Sequence, residues 1–167
     1  FNVFSPPAPA RDTRPAAEVE RAFGLGGSTL RFQGCSDRWP AELFRASPLE
    51  KLDLAPYYAL AEERLKVHGP RTYHKYPAHP LGRASEHLRP AFRRAGLELE
   101  PAALAILAQN DPDSARLACD RRNRCSSGCP IGAKSSYDLA LLLPVAAKYP
   151  RRLRILTQAL AVKLVAD

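Results

Sequence analysis

An α+β fold is expected from three observations. Helical spacing and strand-like alternation occupy different stretches of the chain. The 167 residues include 16 prolines against 9 glycines, which keeps elements short and their connections stiff. No strand–helix–strand alternation recurs of the kind that builds a parallel sheet. Composition fits one ordinary globular domain, because 46% apolar and 25% charged residues lie close to globular averages and far from those of disordered chains.

Residues 1–17 are rich in Pro and Ala and read as extended connection, followed by a short helical turn over Glu18–Phe23. Gly24-Leu25-Gly26-Gly27-Ser28-Thr29 reads as a flexible turn leading into Leu30 and Phe32. Asp53 is the expected N-cap of a helix running through Pro56 to Leu65, with Tyr57, Leu60, Ala61 and Leu65 on one face and Gly69 as its stop. Pro70, Pro77, Pro80 and Gly82 make residues 70–84 a loop. A second helix is expected over Ser85–Ala95, closed by Gly96, with Pro90 making it start late or kink. Ala102–Ala108 is a short apolar run, either a buried strand or a helical turn.

Residues 110–136 read as irregular and hold three cysteines. Tyr137–Tyr149 reads as a buried helix broken or kinked near Pro144, and Leu153–Thr157 and Ala161–Val165 alternate like two half-buried strands. The chain divides accordingly into residues 1–50, 51–110, 111–136 and 137–167. It lacks methionine and opens Phe1-Asn2-Val3-Phe4, so it reads as an internal piece of a longer protein.

The net charge of +8 raises the question of nucleic acid. The basic residues are spread along the chain with no recognition-helix pattern or RNA-binding aromatic signature, which reads as a basic surface that is solvated or faces acidic partners outside this chain. The run Leu139–Leu143 ends at Pro144 and is far too short to span a bilayer.

Cys119, Cys125 and Cys129 form C-x5-C-x3-C followed by Pro130. Three soft thiolates on a loop that Gly128 allows to turn can converge on one metal cluster. Arg121, Arg122, Arg124 and Lys134 are expected to favour thiolate and to offset the charge of an anionic cluster. Zinc, a disulfide and inert reduced thiols stay open from spacing alone, although zinc prefers closer ligand pairs and a fourth ligand. Cys35, after Gly34, reads as a small buried residue, with a fourth-ligand role as the sharper alternative. Gly26-Gly27-Ser28-Thr29 offers backbone N–H groups to a phosphate or flavin, and no GxGxxG fingerprint is present.

Taken in order, these pieces resemble the middle of a glucose–methanol–choline (GMC) flavoprotein. Gly26 to Gly34 followed by Arg38 is similar to the family's GGS/T-T-x-x-W-x-G loop along the flavin, with Arg31 and Phe32 departing from the usual residues. Asp53 to Glu62 is similar to its D-L-x-P-Y-Y-x-x-A-E helix. Cys129 to Ser136 is similar to GCP-x-GAK-x-S, and Leu143 to Ala146 to a Y-L-P-x-A helix that here has Leu142 in place of Tyr. Leu156 to Leu164 is similar to the strand pair beside the FAD adenine. The cysteine spacing is similar to that of the family's membrane-associated sugar dehydrogenases, where it holds a 3Fe–4S cluster.

The resemblance implies part of the FAD-binding domain and part of a substrate or cap region, without the N-terminal Rossmann βαβ unit. It implies FAD contacts at Gly26, Gly27, Ser28, Thr29, Gly34 and Ala161, and cluster ligation by Cys119, Cys125 and Cys129. It implies oxidation of an alcohol, such as a sugar or polyol, to a carbonyl, with electrons relayed to a cytochrome or similar acceptor. The family's catalytic His lies outside this chain, and His68, His74, His79 and His87 read as surface or loop residues. An iron–sulfur or metal-binding electron-transfer module without its own flavin is the alternative.

Overall fold

The computed structural model describes residues 24–45, 47–70, 75–114, 116–159, 163 and 165. The expected turn at Glu18–Phe23 and residue Ala161 lie outside them. The described residues form a mixed α/β arrangement with helices α1 (Ala55–Leu65), α2 (Arg83–Arg94) and α3 (Leu143–Lys148). Strands β1 (His68–Gly69) and β2 (Tyr76–Pro77) pair in parallel, His68 opposite Tyr76.

The organising element is the apolar run Ala103–Leu107, which makes isolated bridges at Leu104 and Ile106 with a bend at Ala105 between them. Its odd and even residues bond to opposite sides, as strand geometry requires. On one side the Ser36 N–H donates to the Ala103 carbonyl (2.9 Å) and the Ala105 N–H to that of Gly34 (2.7 Å). Farther along, Ser135 donates to Ala105 (2.8 Å) and Leu107 to Ala133 (3.0 Å). On the other side Leu104 and His68 exchange two backbone bonds of 2.8 and 2.9 Å. Ala103, Ala105, Ile106 and Leu107 are all buried, and Val67 joins them with Phe32 and Leu65 packed alongside. The partners are one or two residues long, which is why the run has no ladder that a periodicity argument could detect.

Helix α1 starts where expected. The Asp53 carboxylate accepts the Ala55 N–H at 3.1 Å, and proline occupies the first turn. Its end differs from expectation: Lys66, in the left-handed region at φ 52°, stops the helix before Gly69. The Val67 N–H then reaches the Glu62 carbonyl at 2.8 Å and the Lys66 N–H that of Glu63 at 3.3 Å, a Schellman closure that drops Val67 into the core. The expected apolar face is exposed at Tyr57 and Leu60. The buried residue of α1 is Glu62, whose carboxylate takes a two-pronged bond from Arg38 at 2.6 and 2.8 Å.

Helix α2 begins two residues before Ser85 and carries Pro90 inside, so proline does not delay its start. Gly96, at φ +75°, closes it by the same Schellman pattern, Leu97 to Phe92 at 2.9 Å and Gly96 to Arg93 at 3.0 Å. The Tyr137–Tyr149 stretch changes winding ahead of Pro144: Asp138–Leu142 is π-helical and α3 follows. It is half-buried in its first part and exposed at Leu143 and Val145, less covered than expected. Residues 153–157 form no strand.

His68 overturns the expectation of a surface histidine, being 1% exposed. Its Nε2 lies 3.4 Å from the Ala108 N–H, which can only donate, so Nε2 accepts. Nδ1 therefore carries the proton and donates to the Pro77 carbonyl at 2.8 Å. His79 is half-buried, its Nε2 2.8 Å from the Ile106 carbonyl, while His87 is exposed and His74 lies outside the described residues.

Burial pulls the His68 imidazole below its ordinary value, with the Pro77 carbonyl opposing and His79 adding to the shift. The neutral ring is the folded form, so the unfolded chain takes up a proton first as pH falls through about 6.5. Stability is therefore expected to decline from about pH 6.5 downward, by up to about 1.4 kcal/mol per pH unit, before carboxylates titrate. Denaturant midpoints between pH 7 and pH 5 check this, and a His68→Asn variant should lose the slope.

Gly34 generates a second expectation. Its φ is +85°, and a Cβ there would sit 2.6 Å from Ile106 Cγ1 and 2.7 Å from Cδ1. Gly34→Ala should cost about 2–4 kcal/mol in chemical denaturation. Adding Ile106→Ala should recover less than expected for independent sites, but more than zero, because it relieves the clash and leaves the backbone strain.

Candidate functional site

The glycine turn and the cysteine loop meet at Lys134. This side chain is 1% exposed, and its ammonium donates to the carbonyls of Leu30 (2.8 Å), Phe32 (2.9 Å) and Cys125 (2.6 Å). An ammonium has three N–H bonds and no acceptor, so three carbonyl partners satisfy it completely. The charge also lies 5.3 Å from the centre of the Phe32 ring. Burial lowers the Lys134 pKa, and the Cys125 and Cys129 sulfurs and the Asp138 carboxylate pull it back up.

The glycine turn is a 3₁₀ helix over Gly27–Leu30, with Gly26 left-handed at φ 104° before it. The Thr29 hydroxyl donates to the Gly26 carbonyl at 2.6 Å and accepts the Tyr137 N–H at 2.9 Å. Thr29 thereby fastens the turn to the start of the segment leading into α3. Gly26 lies against that segment too, since a Cβ on it would be 3.0 Å from Asp138 Oδ1. The Asp138 oxygen is buried without a hydrogen-bond partner.

Gly27 is different: a Cβ there would meet nothing within 4 Å, and Ser28 is exposed. The expected flavin-facing residues thus divide. Gly27 and Ser28 face open space, although the Gly27 N–H (to Gly24) and the Ser28 carbonyl (from Arg31 and Phe32) are bonded within the turn; Gly26 and Thr29 hold the turn in place, and Gly34 is spent on packing against Ile106.

Cys119, Cys125 and Cys129 line one small cavity of about 30 Å³, with Arg122 and Arg124 on its wall. Cys119 is tied to the central strand by its N–H to the Leu107 carbonyl at 2.8 Å. The Arg121 N–H points at Cys119 Sγ (3.3 Å) and the Lys134 N–H at Cys129 Sγ (3.4 Å). Arg116, itself buried, braces the segment after Cys129. Its guanidinium donates to the carbonyls of Gly132 (2.8 Å) and Ala133 (3.0 Å) and to the Ser135 hydroxyl (2.9 Å).

All four cysteines are free thiols. Among the described residues no three His, Cys, Asp or Glu side chains surround a single ion position. Three thiols lining one cavity, two of them beside backbone N–H donors, are donors of a kind that soft metals accept.

The basic surroundings do not favour thiolate at Cys125. Burial and the neighbouring Cys119 sulfur raise its pKa, and Lys134 opposes them without prevailing. Arg122 is engaged by Asp120 at 2.6 Å. Cys35 is exposed rather than buried and does not line the cysteine cavity.

No family model matches the chain. Two curated proteins are similar to it. One is 6'''-hydroxyparomomycin C oxidase of Streptomyces lividus, 35% identical over 144 residues, covering 74% of this chain and 26% of that protein. The other is paromamine 6'-oxidase of Streptomyces fradiae, 36% identical over 138 residues, covering 74% of this chain and 25% of that protein. The chain spans about a quarter of the length of these relatives.

Lys134→Met keeps the apolar stem and leaves the carbonyls of Leu30, Phe32 and Cys125 without their shared donor. It should lower stability by about 2–4 kcal/mol in thermal or denaturant unfolding. In the same variant a thiol-reactive dye should label Cys125 and Cys129 faster than in the unaltered protein. Lys134→Arg should not restore the wild-type rate, because a planar fork cannot reproduce three diverging bonds.

Proposed function

We propose that this chain is part of an FAD-dependent oxidoreductase of the GMC type that oxidises an alcohol group of a sugar-like substrate. It would contribute part of the FAD-binding domain and part of the cap. Electrons would leave through an iron–sulfur cluster on Cys119, Cys125 and Cys129 to a one-electron acceptor such as a cytochrome. The observation that carries this reading is the Lys134 clamp, which joins the glycine turn to the cysteine loop across more than a hundred residues of chain. Similarity to two proteins named as oxidases supports the oxidoreductase class, and their names suggest an amino sugar as the substrate class.

Gly27 leaves the free space that the close approach of a flavin edge needs, with no side chain in the way, and Ser28 beside it is exposed. FAD, when bound, supplies a two-electron acceptor for the hydride of an alcohol carbon. The chain's own residues hold that surface still: Thr29 pins it to Tyr137, and Lys134 pins the backbone just beyond it. At the cysteine loop the thiols sit beside N–H donors from Arg121 and Lys134, which would stabilise negative sulfur once the protons have left. The raised Cys125 pKa means that metal uptake releases a proton there, so loading should be favoured by alkaline pH.

Anaerobic reconstitution with iron and sulfide, followed by electron paramagnetic resonance, tests the cluster, and absorbance during FAD addition tests the flavin. The expected result is a three-iron signal that Cys125→Ser abolishes, together with a bound-flavin spectrum. A cluster that forms with no flavin bound would favour an electron-transfer module. A protein silent in both measurements would overturn the proposal.

A further inference from the structure

Large apolar side chains are turned outward where the chain approaches α1. Ahead of Asp53 the backbone closes one tight turn after another: the Leu43 N–H donates to the Pro40 carbonyl (3.0 Å), Ser47 to Phe44 (3.0 Å), Glu50 to Ser47 (3.1 Å) and Leu52 to Leu49 (3.0 Å). Each bond spans three residues, so local turns hold this segment in shape while its side chains stay uncovered. The Trp39 backbone N–H adds a bond to the Tyr58 hydroxyl of α1 at 3.3 Å. Between the turns and α1 lies a groove of about 270 Å³, with Trp39, Phe44, Leu49, Leu52 and Tyr58 among its lining residues.

Trp39 is 63% exposed, Leu43 61% and Leu52 53%, and the Trp39 and Phe44 rings lie 6.4 Å apart. The charged groups around the groove are already committed. Arg38 is held by Glu62, the Asp53 carboxylate caps α1, and Glu50 is itself engaged. What the groove offers is apolar and aromatic surface with a polar rim, the composition of an interface centre.

Among the described residues the buried apolar core is Val67, Ala103, Ala105, Ile106, Leu107 and Ala133, half of it alanine, a modest core beside side chains this large left in water. In the two relatives about three quarters of the polypeptide lies outside the stretch shared with this chain. Polypeptide of that extent is a source of apolar cover. A second copy of this chain would bring its own net charge of +8 to the contact and be repelled.

We infer that the groove seats an apolar segment of the same polypeptide from outside residues 1–167, with Trp39 as its anchor. Removing the indole and the two leucines from water is the favourable term, and an exposed Trp over a preformed hollow is the usual form of an interface hot spot. The inference rests on the reading above that this chain is part of a longer oxidoreductase.

The test places a photoreactive residue at the rim, Leu43→p-benzoylphenylalanine, in the full-length polypeptide. Irradiation followed by peptide mass spectrometry is expected to give an intramolecular cross-link from position 43 to a peptide outside residues 1–167. Adding Trp39→Ala should cut the cross-link yield at least about fivefold with an unchanged circular dichroism spectrum. A cross-link to residues 1–23, a cross-link between two copies, no cross-link at all, or a yield indifferent to Trp39 would overturn the inference. Flavin absorbance of the same sample separates the two readings. The expected cross-link in a protein that binds no flavin keeps the docking and counts against the enzymatic proposal, whereas a flavin-loaded protein without the cross-link removes the docking alone.

Discussion

The buried ammonium of Lys134 imposes the constraint on which the rest of the site depends. A desolvated cation is costly, and it persists where every N–H bond has an acceptor. The acceptors are the backbone carbonyls of Leu30, Phe32 and Cys125, so placing Lys134 places the exit of the glycine turn and the middle of the cysteine loop together. Backbone acceptors make the joint insensitive to the side chains at those three positions. Arg116 repeats the device by bonding the carbonyls of Gly132 and Ala133, so a second buried cation steadies the segment that presents Lys134.

The run Ala103–Leu107 supplies the core and the attachment points. Residues 34–36, His68 and residues 133–135 each bond to it through one or two residues. A sheet this short has little cooperativity of its own, and it is held by side chains that stop backbone groups going unpaired. His68 does this with both ring nitrogens, and Asp37 does it by accepting the Ala103 N–H at 3.2 Å. The absence of a Cβ at Gly34 lets the incoming loop lie against Ile106. The glycine turn and the thiols therefore hang from one strand, one through Gly34 and the other through Cys119.

The electrostatics of the cysteine loop follow from this packing. Arginines dominate the local sequence, yet the side chain that acts on the sulfurs is the buried Lys134, and burial still raises the Cys125 thiol. Backbone N–H groups of Arg121 and Lys134 are directed at the sulfurs of Cys119 and Cys129.

Features written within a few residues of one another were legible in the amino-acid sequence. Asp53 capping α1, Gly96 closing α2 and the disturbed winding near Pro144 all depend on bonds between near neighbours, which residue type governs directly. The C-x5-C-x3-C spacing likewise brings three thiols to one cavity because the loop is short. Where local chemistry was ambiguous the reading went astray: Lys66 took the left-handed stop expected of Gly69, and Pro90 was accommodated inside α2.

Only the tertiary structure decided which groups are buried and whom they meet. Glu62 rather than the apolar stripe of α1 faces inward because Arg38, distant in sequence, satisfies it. His68 is interior because Pro77 and Ala108 bracket its ring, and Lys134 is a clamp because Leu30 and Phe32 come to it from the other end of the chain. Burial of a polar side chain is settled by the partners that complete its hydrogen bonds, and partners a hundred residues away leave no periodic trace in the sequence.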